Sequence, residues 1–173
     1  KGFEMKVLAF DVYQDKKLAK TFGFNYTTLN NLLKNSDIIT LHAPYNKNTH
    51  HLLNTKNFYL IKKGAYIINT ARGALIETDA LVKALQQKKI SGAALDVLEG
   101  ECYIREEKEL LKQDPTCDLK TIVEDQMLLH MDNVIITPHN AFNSQEALQR
   151  IIDTTVRNIS CAMKNKKCKN KII

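Results

Sequence analysis

The sequence predicts an α/β chain, a doubly wound parallel sheet. Three observations carry that prediction. Short apolar runs alternate with stretches of helical period along most of the 173 residues, the pattern of parallel strands joined by crossover helices. The composition, 44% hydrophobic and 25% charged with 6 Gly, 3 Pro and no Trp, is that of a globular chain and not of a disordered one. Polar and charged residues gather where the apolar runs stop, and open parallel sheets collect their ligands at the carboxyl ends of the strands.

Met5 to Phe10 is a brief apolar run ending at Asp11, which reads as a buried strand. Asp15 to Phe22 is a short helix stopped at Gly23. Thr27 and Thr28 precede Leu29, Leu32 and Leu33, giving a capped helix with apolar residues at helical spacing. Ile38 to Leu41 is the next strand, closed at Pro44, and Asn54 to Ile61 is a short helix ended by Lys63-Gly64. Ala65 to Asn69 reads as a strand, Thr78 to Lys88 as an amphipathic helix, and Ile90 to Val97 as a strand carrying small residues. Charge and leucine then interrupt the alternation, and residues from about 102 to 131 read as an insertion with one or two short helices. Asn133 to Thr137 restores a strand, Pro138 ends it, and Ser144 to Lys164 is a helix of roughly six turns. Its Leu/Ile stripe is explained most simply by helix packing. The expected division is a sheet domain over residues 1–142 and a long helix with a basic tail over 143–173.

Charge and cysteine usage narrow the function classes. The formal net charge is +6, yet Lys164, Lys166, Lys167, Lys169 and Lys171 fall in the last ten residues. Setting those five aside leaves 20 of the 25 basic groups against 19 acidic ones. A basic nucleic-acid domain carries its charge on a folded face, so the tail reads as a solvated end and no nucleic-acid partner is expected. No run approaches 18 apolar residues, so no transmembrane helix and no membrane partner are expected. No secretory signal pattern occurs. Cys102, Cys117, Cys161 and Cys168 form neither a CxxC nor a metal spacing, which points to reduced thiols, a cytoplasmic protein and no metal.

The strand ends supply the candidate site. They are Asp11; His42-Ala43-Pro44; Asn69-Thr70-Ala71-Arg72-Gly73; Asp96 running on to Glu101; and Pro138-His139. An acid after an early strand can accept both hydroxyls of a ribose, although a turn or cap aspartate is the plainer reading of Asp11. The Arg72 guanidinium presents a planar fork suited to a carboxylate, or else it pairs with Glu77. An imidazole beside a carboxylate is stabilised in its protonated form, so His139 with Glu101 can deliver a proton near neutrality. Ketone reduction requires such a proton. Alone, His139 reads as a structural histidine and Glu101 as the start of the charged stretch. His50 and His51 read as loop residues, and His42 without partners makes no metal site.

These residues resemble one family, the NAD-dependent D-isomer-specific 2-hydroxyacid dehydrogenases. Lys63-Gly64-Ala65-Tyr66-Ile67-Ile68-Asn69-Thr70-Ala71-Arg72-Gly73-Ala74-Leu75-Ile76-Glu77 resembles its arginine signature. Ser91-Gly92-Ala93-Ala94-Leu95-Asp96-Val97-Leu98-Glu99-Gly100-Glu101 resembles its glutamate segment, and Asn133-Val134-Ile135-Ile136-Thr137-Pro138-His139 its histidine segment. Leu41-His42-Ala43-Pro44 and the strand ending at Asp11 fit as well. The resemblance implies a Rossmann-like NAD-binding domain over 1–142 and a C-terminal helix returning toward a substrate domain. It implies Arg72 as the holder of the substrate carboxylate and 2-oxo group, His139 as acid/base and Glu101 as the residue that tunes it. Asp96 would take the nicotinamide carboxamide region and Asp11 the adenine ribose, with Ala43, Pro44, Thr49, Thr70 and Ala71 lining the dinucleotide. His139-Asn140-Ala141-Phe142 resembles the D-lactate dehydrogenase branch, with Phe142 suited to a small apolar side chain such as that of pyruvate.

One departure stands out: the glycine-rich phosphate loop that precedes the Asp11 strand in the family does not occur here. Lys1-Gly2-Phe3-Glu4-Met5 resembles the end of the helix after that loop, so the chain is expected to be the carboxyl half of a longer, homodimeric enzyme. Because helix N-terminal amides supply much of pyrophosphate binding, weak or no cofactor binding is expected of this half alone. The alternatives are an NAD(H)-responsive binding or corepressor-like protein on the same fold, or an inactive fragment.

Overall fold

The computed structural model describes residues 2–100, 119–164 and 170. Two compact units result, Lys1–Pro138 and His139–Ile173, so the division falls four residues before the expected one.

In the first unit, β1 (Leu8–Ala9) pairs in parallel with β2 (Asn25–Tyr26). The helix between them, α1 (Lys16–Phe22), begins where the Asp15 carboxylate accepts the Lys17 and Leu18 N–H groups and ends where Gly23 turns left-handed at φ 65°. Two-residue β2 carries no apolar run, which is why the sequence pattern did not mark it. Thr28 caps α2 (Leu29–Asn35), whose Leu33 is fully buried.

A second sheet runs in the order β3 (Ile38–Leu41), β4 (Ala65–Asn69), β5 (Ile90–Leu95), β6 (Val134–Ile136), and every pairing is parallel. The stretch expected as a short helix at Asn54 to Ile61 narrows to a single 3-10 turn, Phe58–Leu60. There the Asn54 and Asn57 side chains bond backbone groups locally instead of facing outward from a helix. A second such turn, Gly73–Leu75, follows Arg72. The crossover helix α3 (Thr78–Gln86) lays Ala80, Leu81, Ala84 and Leu85 against the sheet. The last helix of this unit, α4 (Leu119–Leu129), packs against α3 and β6. The charged stretch expected as an insertion therefore ends in a crossover helix that belongs to the sheet; its remainder up to residue 118 lies outside the described residues.

Strand parity sorts the sheet into two faces. Ile39, Leu41, Ile67, Ala93 and Leu95 point into the core with Leu53, Phe58, Ile61, Leu75, Ile76 and Leu128. Ile38, Tyr66 and Ile135 occupy the opposite face and are exposed.

The second unit is mostly one helix, α5 (Gln145–Met163), capped by Ser144, whose Oγ accepts the Ala147 N–H. Its stripe of Leu148, Ile151, Ile152, Val156 and Ile159 is exposed.

Candidate active site

All four strands of the larger sheet stop in one row, because the register sets Leu41 opposite Asn69, Asn69 opposite Leu95, and Leu95 opposite Ile136. The next residue of each chain segment, His42, Thr70, Asp96 and Thr137, thus stands just beyond one edge. This edge holds six of the expected site residues: Ala43, Pro44, Thr70, Ala71, Arg72 and Asp96.

The loop after β4 is built by Asn69. Buried to 1% exposure, its side chain accepts the Ala71 N–H (3.1 Å) and donates to the Arg72 carbonyl (2.9 Å). Arg72 is exposed with extended backbone, φ −147° and ψ 139°, and its Nη1 donates to the Ala71 carbonyl at 2.7 Å. The alternative Arg72–Glu77 pair does not form; the Glu77 carboxylate accepts the Thr55 N–H and hydroxyl instead (2.6 and 2.9 Å). Gly73 is required here, since a Cβ on it would lie 2.1 Å from the Leu98 carbonyl carbon.

Asp96 is 4% exposed. The Thr137 hydroxyl donates to its Oδ1 at 2.5 Å, tying the end of β5 to the end of β6. On β3, His42 Nε2 lies 2.9 Å from the Thr40 hydroxyl. Thr49 spends its hydroxyl on the turn, donating to the Pro44 carbonyl (2.6 Å) and accepting the Asn46 N–H (2.8 Å). Contact with a dinucleotide would fall to its methyl group.

Asp11 lies two residues past β1, exposed, with Oδ1 accepting the Tyr13 N–H at 2.8 Å. It is thus a turn aspartate, and its carboxylate stays at the surface. Glu101 lies outside the described residues. His139 and Phe142 belong to the second unit. His139 is half-buried in the left-handed region at φ 52°, Phe142 is 54% exposed, and the Phe142 carbonyl accepts the Ser144 N–H that leads into α5.

Sequence reasoning gave no side-chain role at the site to four residues: Asn69, Thr137, His51 and Glu99. His51 Nε2 meets Glu99 Oε1 at 2.5 Å, and Glu99 Oε2 accepts the Thr78 N–H and hydroxyl at 3.2 and 2.7 Å. A buried asparagine closing a strand was a usable signal for the first. The other three have partners 21 to 48 positions away, beyond any local spacing.

The residues present suit the sugar and nicotinamide ends of a dinucleotide. Asp11 offers acceptor oxygens for hydroxyls at the surface, and Ala43 and Ala71 place small side chains just past the strand ends. The six glycines are isolated from one another, so the pyrophosphate cradle is not built from these 173 residues. Among the described residues, no three His, Cys, Asp or Glu side chains come together as a metal site, and no helix is long and apolar enough to cross a membrane.

Comparison with known proteins decides the family. Residues 1–141 match the family described as D-isomer specific 2-hydroxyacid dehydrogenase, NAD binding domain. The chain belongs to this family. It is 42% identical over 161 residues to a D-specific alpha-keto acid dehydrogenase of Enterococcus faecium, covering 91% of this chain and 45% of that protein. A D-lactate dehydrogenase of Lactiplantibacillus plantarum is 42% identical over 156 residues, covering 90% and 45%. The crystal structure of D-lactate dehydrogenase from Aquifex aeolicus complexed with NAD and lactic acid superimposes with a TM-score of 0.82 at 41% identity, over 95% of this chain and 48% of that one. The chain spans about half the length of the curated relatives it matches.

Proposed function

We propose that this chain supplies the NAD-binding and proton-transfer half of a dehydrogenase that interconverts a small 2-oxo acid and its D-2-hydroxy acid, with pyruvate and D-lactate as the pair. The observation that carries the reading is the single sheet edge bearing Ala43, Thr70, Ala71, Arg72 and Asp96 in a chain of this family.

Bound NADH supplies the hydride that reaches the keto carbon. Arg72 holds the substrate carboxylate and 2-oxo oxygen through its planar fork, which orients the carbonyl for attack. His139 gives its proton to the carbonyl oxygen, and Glu101 stabilises the imidazolium that must be present beforehand. Asp96 holds the carboxamide end of the nicotinamide and Asp11 the adenine ribose, where a carboxylate repels a 2′-phosphate and so favours NAD over NADP. Phe142 covers the small apolar side chain of the substrate. A homodimer and a cytoplasmic setting complete the proposal, supported by the family resemblance and by cysteines without a disulfide spacing.

The test is loss of NADH absorbance by the full-length protein offered pyruvate and then bulkier 2-oxo acids. Turnover with pyruvate is expected. Turnover only with larger acids would keep the mechanism and overturn the assignment to Phe142, whereas NADH binding without turnover of any acid would favour the corepressor-like alternative. In the same protein, His139→Ala should lower kcat by about 10²- to 10⁴-fold with NADH affinity little changed. Arg72→Lys should mainly raise KM, because a point charge loses the two-pronged fit.

A further inference from the structure

We propose that Glu99 is a positioning residue whose carboxylate, held between His51 and Thr78, fixes the Arg72 loop in the pose that receives the 2-oxo acid. The proposal rests on the dehydrogenase reading above.

Arg72 sits on a loop, and a guanidinium fork works only when its loop is held to within about half an ångström. Asn69 fixes the upstream side of that loop. The downstream side, Gly73 to Thr78, lies between two other segments of chain. On one flank runs 51–53: the His51 N–H donates to the Ala74 carbonyl (2.9 Å), Leu53 N–H to the Leu75 carbonyl (3.0 Å), and Glu77 N–H to the Leu53 carbonyl (2.9 Å). On the other flank lies the Leu98–Glu99 backbone, so close that Gly73 has no room for a Cβ.

Glu99 joins all three. One carboxylate oxygen takes His51 from the first flank, and the other takes the N–H and hydroxyl of Thr78, the first residue of α3, where the loop ends. The Thr78 N–H is one of the helix-start donors without an intrahelical acceptor, and a carboxylate is favoured at that end of the helix dipole. The pair is partly shielded, with side-chain exposures of 30% for His51 and 18% for Glu99, so its charge-assisted bonds are worth more than those of a surface pair. His51 reaches this geometry from left-handed backbone at φ 48° and stacks on His50 with ring centroids 3.8 Å apart. That arrangement leaves the imidazole little freedom to turn away from Glu99.

The consequence is specific. Glu99 contacts neither substrate nor dinucleotide in this reading, and losing it lets Arg72 drift while the dinucleotide contacts remain. Substrate binding should suffer more than the chemical step.

The experiment uses the full-length protein with pyruvate and NADH. Glu99→Ala should raise KM for pyruvate about tenfold, with kcat changed less than about threefold and NADH affinity within about twofold. Glu99→Gln keeps an acceptor for Thr78 and a group within reach of His51, and should recover most of the KM. His51→Asn tolerates the left-handed backbone but falls short of Glu99, so it should raise KM as Glu99→Ala does. The double variant should be no worse than either single one. A KM within about twofold of the parent in Glu99→Ala, additive effects in the double variant, or a rise in KM matched by equal losses of NADH affinity and kcat would each overturn the proposal. If Glu99→Ala fails to fold, Glu99→Gln and His51→Asn still decide it through their KM. Absence of turnover by the parent protein itself would overturn the dehydrogenase reading and this proposal with it; normal parent turnover with unaltered variants overturns this proposal alone.

Discussion

The Asn69 amide reaches over the end of its own strand to bond two backbone groups of the following loop, and it does so from a site that is 1% exposed. Replacing it with Leu keeps the volume but leaves the Ala71 N–H without its acceptor and the Arg72 carbonyl with only the Leu75 N–H. An unmet buried backbone group costs about 1–3 kcal/mol. Asn69→Leu should therefore lower the midpoint of urea unfolding of the full-length protein and raise KM for pyruvate together. Gly73→Ala is the sterically blocked counterpart. Its new methyl meets the backbone of Leu98, which cannot swing aside as a side chain could, so a loss of about 3 kcal/mol, the upper part of the overpacking range, is expected in the same unfolding measurement. At this scale the sequence places Asp11, Arg72 and Asp96 at or just past the ends of apolar runs, and the structure finds Arg72 and Asp96 at the edge of the larger sheet and Asp11 in a surface turn beyond β1. It conceals His51 and Glu99, which are 48 positions apart and meet only through the tertiary fold. It also leaves Arg72 open between an ion pair with Glu77 and a guanidinium turned to a ligand, and in the structure Glu77 goes to Thr55 while Arg72 Nη1 meets the Ala71 carbonyl.

Helix ends respond to local chemistry, and so the sequence marks them well. Asp15, Thr28 and Ser144 each cap the helix that follows, and Gly23 stops α1 in the left-handed conformation that glycine adopts at no steric cost. Asp15→Ala removes the acceptor of two helix-start N–H groups and should destabilise by about 1 kcal/mol, measured as a shift in the unfolding midpoint. On α3, the Lys83 ammonium bonds Asp79 at 2.7 Å and, with help from Lys120, holds the Asp79 carboxyl below its ordinary value of 3.8 against the opposing effect of burial. A carboxyl lowered in this way stabilises the fold fully above its unfolded value, and that contribution is lost as pH falls through the lowered one. Asp79→Asn should thus be less stable than the parent by about 0.5 kcal/mol at pH 7. The gap should begin to close below pH 3.8 and disappear at still lower pH; a gap independent of pH would show that the charge is not its source. What the sequence hid at this scale are β2, too short to have a period, and the true role of Leu119–Leu129. Its helix reads as part of a charged insertion until its contacts with α3 and β6 appear.

Across the whole molecule, the larger sheet is buried on the face that meets α3 and exposed on the face of Ile38, Tyr66 and Ile135. Exposed apolar area of this kind invites association. The 173-residue chain taken alone should bind a hydrophobic dye and self-associate as its concentration rises, and Ile135→Lys should weaken both effects; a dye-silent monomer at all concentrations would contradict this. One small contact has a wider bearing. The Gly100 N–H donates to the Asp125 carboxylate at 2.8 Å, and a Cβ on Gly100 would come within 2.6 Å of that oxygen. Gly100 is thereby tied to the middle of α4, across the turn that holds Thr121 and Asp125. A side chain at position 100 has to push that carboxylate off its donor, so Gly100→Ala should loosen α4 from the end of the β5 segment, read as faster backbone amide exchange along Leu119–Leu129.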